Sequence, residues 1–405
     1  MTTLANDSRE RGRIDTTVFR YRVYAYRIRK MLYLGGVLQD RTRSVAWSYF
    51  TGLLVIFMCF SQCVFIINFC RDHTDNLILL IRGFGLTCSF IAPVLMAACF
   101  LVKREKLIEL HDTLNNLFER ELVQDRENKA TVLATLYAFD KPSYIFCFTL
   151  ALTVMLFLYQ SFLSIARHIV DHAKPKKLPL PAKLLWFIPT GDGLPFYLHL
   201  LYQIASLWWM IFTIGSVDSL FGYYAFQISS ILRAMSARLA NQHQNREMFA
   251  VVLNMSVHTH HRLLRCGHMM SDIWGVIILR MLFANAVLMC ALIFEASPFT
   301  HLTIGQFFLF ISYMALKLLQ TFIYAWYGSL ITSASEHFRE GIYFSEWPDS
   351  SLDRVVRANI MVTMMQKPMI IKVLHLSSVN VNMFTNIVNT AMSYFFLLQS
   401  LDESR

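Results

Sequence analysis

Charge is scarce in this chain. Asp, Glu, Lys and Arg make up 16% of its 405 residues while 55% are hydrophobic, whereas about a quarter of a soluble domain's residues are charged. An ordinary soluble domain is thereby excluded, and the chain reads as an integral membrane protein. Catalytic signatures are missing too: there is no Gly-rich phosphate loop, nucleophile elbow or paired-carboxylate pattern, so nothing points to an enzyme. The first 44 residues hold ten Arg or Lys and no apolar run suited to a signal core, which leaves the first apolar span to act as an uncleaved anchor. Internal repeats and low-complexity tracts are absent, giving little support to a transporter built from inverted repeats. The eight cysteines do not suggest a disulfide framework. Cys59, Cys63, Cys88, Cys99, Cys147 and Cys290 lie in apolar spans, Cys70 at the end of one and Cys266 in an inside loop, as small packing residues do. His258, His260, His261 and His268 could suggest a metal site, but His258 and His261 lack dependable carboxylate or cysteine companions, so no metal site and no cofactor is expected.

What is present is a series of seven apolar runs, at residues 47–70, 77–102, 143–166, 196–226, 273–295, 303–332 and 379–401. A spanning helix needs roughly 20 such residues; the fourth and sixth runs are longer and are expected to tilt or project beyond the bilayer. With the amino terminus cytoplasmic, 27 Lys and Arg fall in the four inside segments, 7 in the four outside ones and 3 within the spans. Cationic loops resist translocation, so the chain is expected to start inside and end outside. That is the reverse of a G-protein-coupled receptor. It also places the Asn6 and Asn254 sequons in the cytoplasm, where they stay bare. The net charge of +10, which in a soluble protein would suggest nucleic acid, here reads as a topology signal and a contact for anionic lipid headgroups, with no nucleic acid as partner.

Between the spans, Leu107, Leu110, Leu114, Leu117 and Leu122 recur near helical spacing, as do Leu232, Met235, Leu239, Phe249, Leu253, Leu263 and Leu264. Such stripes predict helices continuing below the membrane as a cytoplasmic bundle. The outer loop at 167–195 is different. Pro175, Pro179, Pro181 and Pro189, with Gly191 and Gly193, forbid a helix and favour an extended lid over the outer face.

The last span is amphipathic in an unusual way. At 100° per residue, Asn386, Asn389, Thr390, Ser393, Leu397, Ser400 and Leu401 share a sector of roughly 120°. Uncharged polar groups inside a membrane face protein or water, so this stripe either bonds to neighbouring helices or lines a pore. The pore reading takes Leu397 and Leu401 as a hydrophobic constriction and the tail beginning at Asp402 as a cation-concentrating mouth. The segment before it, 333–378, alternates Glu336, Arg339, Glu340, Asp349, Asp353, Arg354 and Arg357 with Phe338, Tyr343, Trp347 and Ile360. It reads as an inter-subunit anchor below the bilayer, or as a hairpin within one subunit. Three regions follow: helices one to six with their cytoplasmic extensions at 1–332, the anchor at 333–378, and the pore helix with its tail at 379–405.

Four islands in this last third are specific. Tyr327-Gly328-Ser329-Leu330 runs through Ser335-Glu336 and is followed by Tyr343-Phe344-Ser345-Glu346-Trp347. Then come Met364-Met365-Gln366-Lys367-Pro368 and Ser393-Tyr394-Phe395-Phe396-Leu397-Leu398. Their order and spacing resemble the carboxyl-terminal signature of the insect odorant receptor family. Leu178-Pro179-Leu180-Pro181, Trp186-Phe187-Ile188-Pro189 and Leu194-Pro195-Phe196-Tyr197 resemble its second extracellular loop. The resemblance implies an all-α membrane protein of seven helices, acting as the odorant-binding subunit of a ligand-gated, non-selective cation channel. It further implies a heterotetramer with a common co-receptor, activation by small volatile organic molecules, and a plasma-membrane location in sensory neuron dendrites. The anchor would rest on Glu336, Tyr343, Trp347 and Pro368, and the pore on Asn386, Thr390, Ser393, Leu397, Ser400, Leu401 and Asp402. The co-receptor's Gln-Leu-Lys ending is replaced here by Ser400-Leu401-Asp402, which resembles a tuning subunit. The gustatory receptors, nearest relatives of that family, end in a pattern that fits less well.

A ligand pocket is expected in the outer halves of spans two, three, four and six. Depth and chemistry select Phe84, Ser89, Met155, Tyr159, Phe162, Tyr202, Gln203, Ser206, Phe310, Tyr313 and Met314, each of which could equally serve helix packing. An apolar pocket with a few hydroxyl groups suits small volatiles. Arg82, Arg280 and Lys317 are the cationic residues within spans. Arg82 reads as an interfacial snorkel; the other two could snorkel, pair with a buried carboxylate or take part in gating.

Overall fold

The computed structural model describes residues 2–38, 44–75, 77–123, 126–171, 178–183, 193–240, 246–296, 304–345, 354–374 and 377–403. Over these the chain forms α1 (Thr2–Leu34), α2 (Val45–Arg71), α3 (Leu77–Val102), α4 (Arg104–Val123), α5 (Arg126–Leu133), α6 (Tyr137–Val170), α7 (Leu194–Ala240) and α8 (Arg246–Ala296). They are followed by α9 (Ile304–Tyr343), α10 (Arg354–Met365), a two-residue antiparallel pair β1 (Lys372–Val373) and β2 (Ser377–Ser378), and α11 (Val381–Glu403). Among the described residues six helices are long and apolar enough to cross a membrane, and α11 stands where the seventh span was expected.

Local signals set the helix ends. Ser44 caps α2, its side chain accepting from the Trp47 backbone N–H at 3.3 Å, which satisfies one of the free donors of the first turn. The first helix stops at Gly35-Gly36, where Gly36 takes φ +69° and the Val37 N–H returns to the Leu32 carbonyl at 3.1 Å. A left-handed residue at that place suits glycine.

The Leu stripe from Leu107 to Leu122 is buried along one face of α4. The helices α7, α8 and α9 run on as single rods well past the bilayer length, giving the expected bundle. There Glu121 on α4 receives Arg238 from α7 at 2.8 Å, and Asp272 on α8 receives Lys103 and Lys106 at 2.7 and 2.6 Å. The boundary drawn at 332/333 falls within continuous α9.

Helix α1 is the element that hydropathy does not announce. Aromatic and ionic docking hold it: the Tyr21 and Tyr223 hydroxyls lie 2.8 Å apart, Tyr24 reaches Ser143 at 3.2 Å, and Arg20 pairs with Asp140 at 2.6 Å. In the outer loop, residues 172–177 and 184–192 lie outside the described residues. The piece at 178–183 has no helical structure and is tied down by Lys183, whose ammonium bonds to Asp72 and whose N–H donates to the Phe65 carbonyl at 3.0 Å.

Candidate functional site

One face of α9 carries Tyr313, Lys317, Gln320, Thr321 and Tyr324, a spacing of four, three, one and three residues that stacks them along a single stripe. The stripe meets a carboxylate on α7. Asp218 is 1% exposed. It accepts from the Tyr324 hydroxyl at 2.6 Å through one oxygen and from the Gln320 amide at 2.7 Å through the other. Arg280 on α8 and Lys317 both act on it electrostatically. Arg280 also donates to the Cys88 carbonyl of α3 at 2.8 Å, and Asn285 of α8 donates to Thr321 at 3.0 Å. Four helices are thus joined by polar contacts at a depth where lipid offers none, the arrangement expected of charges retained within a membrane for a purpose.

Directly beside this cluster is a cavity of about 40 Å³. Its wall is apolar: Leu86, Phe90 and Ala92 from α3, Phe146, Leu150, Val154 and Phe157 from α6, Leu207, Met210 and Ile214 from α7, and Leu316 from α9. Its polar groups are Ser89, Thr153, Tyr313, Lys317 and Gln320. The Ser89 and Tyr313 hydroxyls meet at 2.6 Å, and Thr153 meets Ser312 at 2.7 Å. Leu180 from the outer loop completes the lining.

Of the eleven residues chosen by depth, Ser89 and Tyr313 line this cavity. Gln203, buried on α7, binds the backbone of Leu180 and so holds the cap. Ser206 is buried and bonds to the Tyr202 carbonyl at 2.9 Å. Tyr202 turns toward α2, bonding to Ser61 and, at 3.0 Å, to the Met58 carbonyl. Phe84, Met155, Tyr159 and Phe162 are all more than half exposed on the outer surface of their helices, away from the cavity. Depth alone does not fix which face of a helix a residue occupies. Phe310 and Met314 are half-buried and outside the lining. Sequence reasoning overlooked Asp218, Gln320 and Tyr324; an Asp in the middle of an apolar run is the signal that marks the cluster. Nothing in the sequence singles out Leu180.

The stripe on α11 is exposed at Asn386, Asn389, Thr390 and Ser393, while Met383 and Ala391 turn inward. The Thr390 hydroxyl returns to the Asn386 carbonyl at 2.7 Å and that of Ser393 to Asn389 at 2.9 Å; among the described residues neither hydroxyl bridges to another helix. Side chains of Leu397, Ser400, Leu401 and Asp402 lie outside the described residues. The inner face of α11 meets α9 through Phe384 and Phe322, ring centres 5.6 Å apart. In the anchor region Trp347 lies outside the described residues, Glu336 and Tyr343 are exposed, and Pro368 is half-buried. The neighbouring Met369 N–H donates to Ser335 at 2.9 Å. Cys59, Cys63, Cys70, Cys88, Cys99, Cys147 and Cys266 are free, and His260 stacks on Phe338 with ring centres 5.0 Å apart.

Fold and site together define a polytopic helical membrane protein with an intramembrane cavity set against a buried charge cluster. The family model described as 7tm Odorant receptor matches residues 76–392, and the chain belongs to this family. Among curated proteins it is similar to Odorant receptor Or2 of Anopheles gambiae, 26% identical over 35% of this chain and 36% of that one. It is also similar to Odorant receptor 13a of Drosophila melanogaster, 23% identical over 47% and 50% of the two chains. These matches span half or less of the relatives' length. The fold is that of the insect olfactory receptor OR5 from Machilis hrabei, with a TM-score of 0.76, 16% identity, and coverage of 94% of this chain and 98% of that one. The structure of that receptor in complex with eugenol matches with a TM-score of 0.75, 15% identity, and coverage of 95% and 99%.

Proposed function

We propose that the chain is the odorant-binding subunit of a ligand-gated, non-selective cation channel, assembled with co-receptor subunits in a tetramer in the plasma membrane of a sensory neuron. In this reading the amino terminus is cytoplasmic and the carboxyl terminus outside. The observation that carries it is that a single helix, α9, both walls the cavity through Tyr313, Leu316, Lys317 and Gln320 and packs on α11 through Phe322 and Phe384. A ligand in the cavity therefore acts on a helix that touches the proposed pore helix.

Size makes the link mechanical. A dry apolar cavity of about 150 Å³ accommodates benzene, and the cavity here measures about 40 Å³. An odorant must therefore displace its walls, and α9 is one of them. Apolar burial, at roughly 25 cal/mol per Å², supplies the affinity, while the few polar groups orient the molecule. Eugenol, the molecule bound to the Machilis receptor, has an apolar body with a polar end, the combination this lining would take.

The α11 stripe, presented away from its own chain, suits the water-filled axis of an assembly. Tyr343, Phe344 and Met365, exposed at the end of α9 and α10, form an apolar surface suited to a neighbouring subunit. Patch recordings from cells expressing the chain with and without a co-receptor test the proposal. Odorant-evoked single-channel steps are expected with the co-receptor, and Leu207→Trp, which fills the cavity, should abolish them. Saturable flux without steps would support a transporter instead.

A further inference from the structure

The cavity has one feature that an apolar pocket with a few hydroxyls does not require. Lys317 is 5% exposed and lines the cavity, yet among the described residues its ammonium makes no hydrogen bond. Its recorded neighbour is the Tyr313 ring, 5.3 Å from Nζ to the ring centre. Arg280 acts on Lys317 electrostatically, and Asp218 is the carboxylate that acts on both. Both oxygens of Asp218 are already engaged by Tyr324 and Gln320. Two cationic side chains therefore share one carboxylate in a place shielded from water, and the one bordering the cavity has donor capacity to spare. A lone buried ammonium is costly, and a second anion bonded to it relieves that cost.

Resting on the cavity reading above, we propose that the ligands this receptor prefers are small carboxylic acids, bound as carboxylates with the head group on Lys317 and the hydrocarbon chain against Leu150, Leu207 and Met210. The Ser89–Tyr313 hydroxyl pair, at 2.6 Å, stands in the same lining; when Ser89 donates to Tyr313 rather than to the Gly85 carbonyl 3.2 Å away, the Tyr313 hydroxyl is left to donate to the head group. An alcohol, aldehyde or ester of the same skeleton buries the same apolar surface but leaves the charge unbalanced.

The test is a matched ligand panel applied to the chain co-expressed with a co-receptor subunit. Each acid is compared with its own alcohol, aldehyde and methyl ester, on straight chains from butanoic to octanoic acid and on the phenylacetic skeleton. At least one skeleton is expected to show an acid more potent than its alcohol by about tenfold or more. In Lys317→Met that ratio should collapse toward one; being a ratio within one variant, it does not depend on how much protein reaches the surface. If Lys317→Met carries no current, Lys317→Gln, which keeps a donor and loses the charge, should show the same collapse. An absence of acid preference on every skeleton in the native protein overturns the proposal, as does a preference that survives loss of the Lys317 charge. The cavity reading fails separately: if Leu207→Trp leaves the responses to all four head groups intact, the ligand binds elsewhere, whatever its chemistry.

Discussion

Gln203 holds Leu180 by both ends of its amide: the Leu180 N–H donates to the Gln203 oxygen at 3.0 Å, and the Gln203 nitrogen donates back to the Leu180 carbonyl at 3.5 Å. A side chain near the outer end of α7 thereby fixes the backbone of a proline-rich outer loop, and the leucine so held becomes part of the cavity lining.

Replacing Gln203 by Ala removes, besides a contact with His199 at 3.2 Å, the two bonds to Leu180, of which the shorter is worth about 1 kcal/mol. Odorant potency should fall about fivefold, and because the loss falls on the cap, the current should decay faster on washout. Concentration–response curves and deactivation time constants check both. Unchanged washout kinetics would mean that the loop does not gate exit from the cavity.

Asp218 compensates Arg280 and Lys317, and Asp218→Asn keeps its shape while removing its charge. Leaving the buried Arg280 and Lys317 without the carboxylate that acts on them is costly, so the variant should reach the cell surface poorly and unfold at lower temperature in detergent. The double variant Asp218→Asn with Lys317→Met removes one cation as well and should recover part of the loss. Surface labelling and thermal unfolding of the purified assembly measure this; equal behaviour of the single and double variants would show that the three charges are not coupled.

Much of the architecture was legible because bilayer chemistry writes it directly. Apolar length placed the spans, and the Leu107 to Leu122 stripe located the buried face of α4. Helix α1 escaped because its adhesion depends on Tyr21, Tyr24 and Arg20 meeting particular partners far along the chain, which no local pattern records. The pocket was half legible for a related reason. Composition and depth found Ser89 and Tyr313, but choosing Tyr159 on α6 rather than Thr153 requires knowing which face of α6 turns inward: Tyr159 is 60% exposed and Thr153 only 2%. Asp218 was readable in principle, since a lone carboxylate in an apolar helix demands partners, and Gln320 and Tyr324 supply them from α9.

The proposed orientation rests on the charge asymmetry, and two sequons test it. With the amino terminus in the cytoplasm, Asn6 and Asn254 never meet the glycosylation machinery, so glycosidase treatment should leave gel mobility unchanged. A consensus sequon introduced within residues 172–177, in the outer loop, should be modified and should shift. Modification at Asn6 instead would invert the topology and bring back the G-protein-coupled arrangement.

If α11 lines the conduction path, cysteines at Asn386, Thr390, Ser393, Leu397, Ser400 and Leu401 should react with aqueous thiol reagents faster during odorant application. Cysteines at Met383 and Ala391, which turn toward the core, should stay inert and serve as controls. Asp402→Ala should lower cation selectivity by removing one carboxylate per subunit from the outer mouth. Inert cysteines along the whole stripe would remove α11 from the path.

Coupling between cavity and pore helix should be separable from both binding and conduction. Phe384 meets Phe322 edge to face, and just below them Gly328 lets α9 approach the start of α11 so closely that a Cβ there would collide with the Val379 carbonyl. Phe384→Ala removes an aromatic pair worth about 0.5–1.5 kcal/mol beyond its burial without touching the cavity lining. Its maximal odorant response should therefore drop several-fold at saturating ligand, with single-channel conductance preserved. Gly328→Ala should wedge the two helices apart and give either constitutive current or none, because the backbone must shift to admit the methyl group. If Phe384→Ala leaves the open probability at saturation unchanged, the signal passes from the cavity to the pore by some route other than the α9–α11 contact.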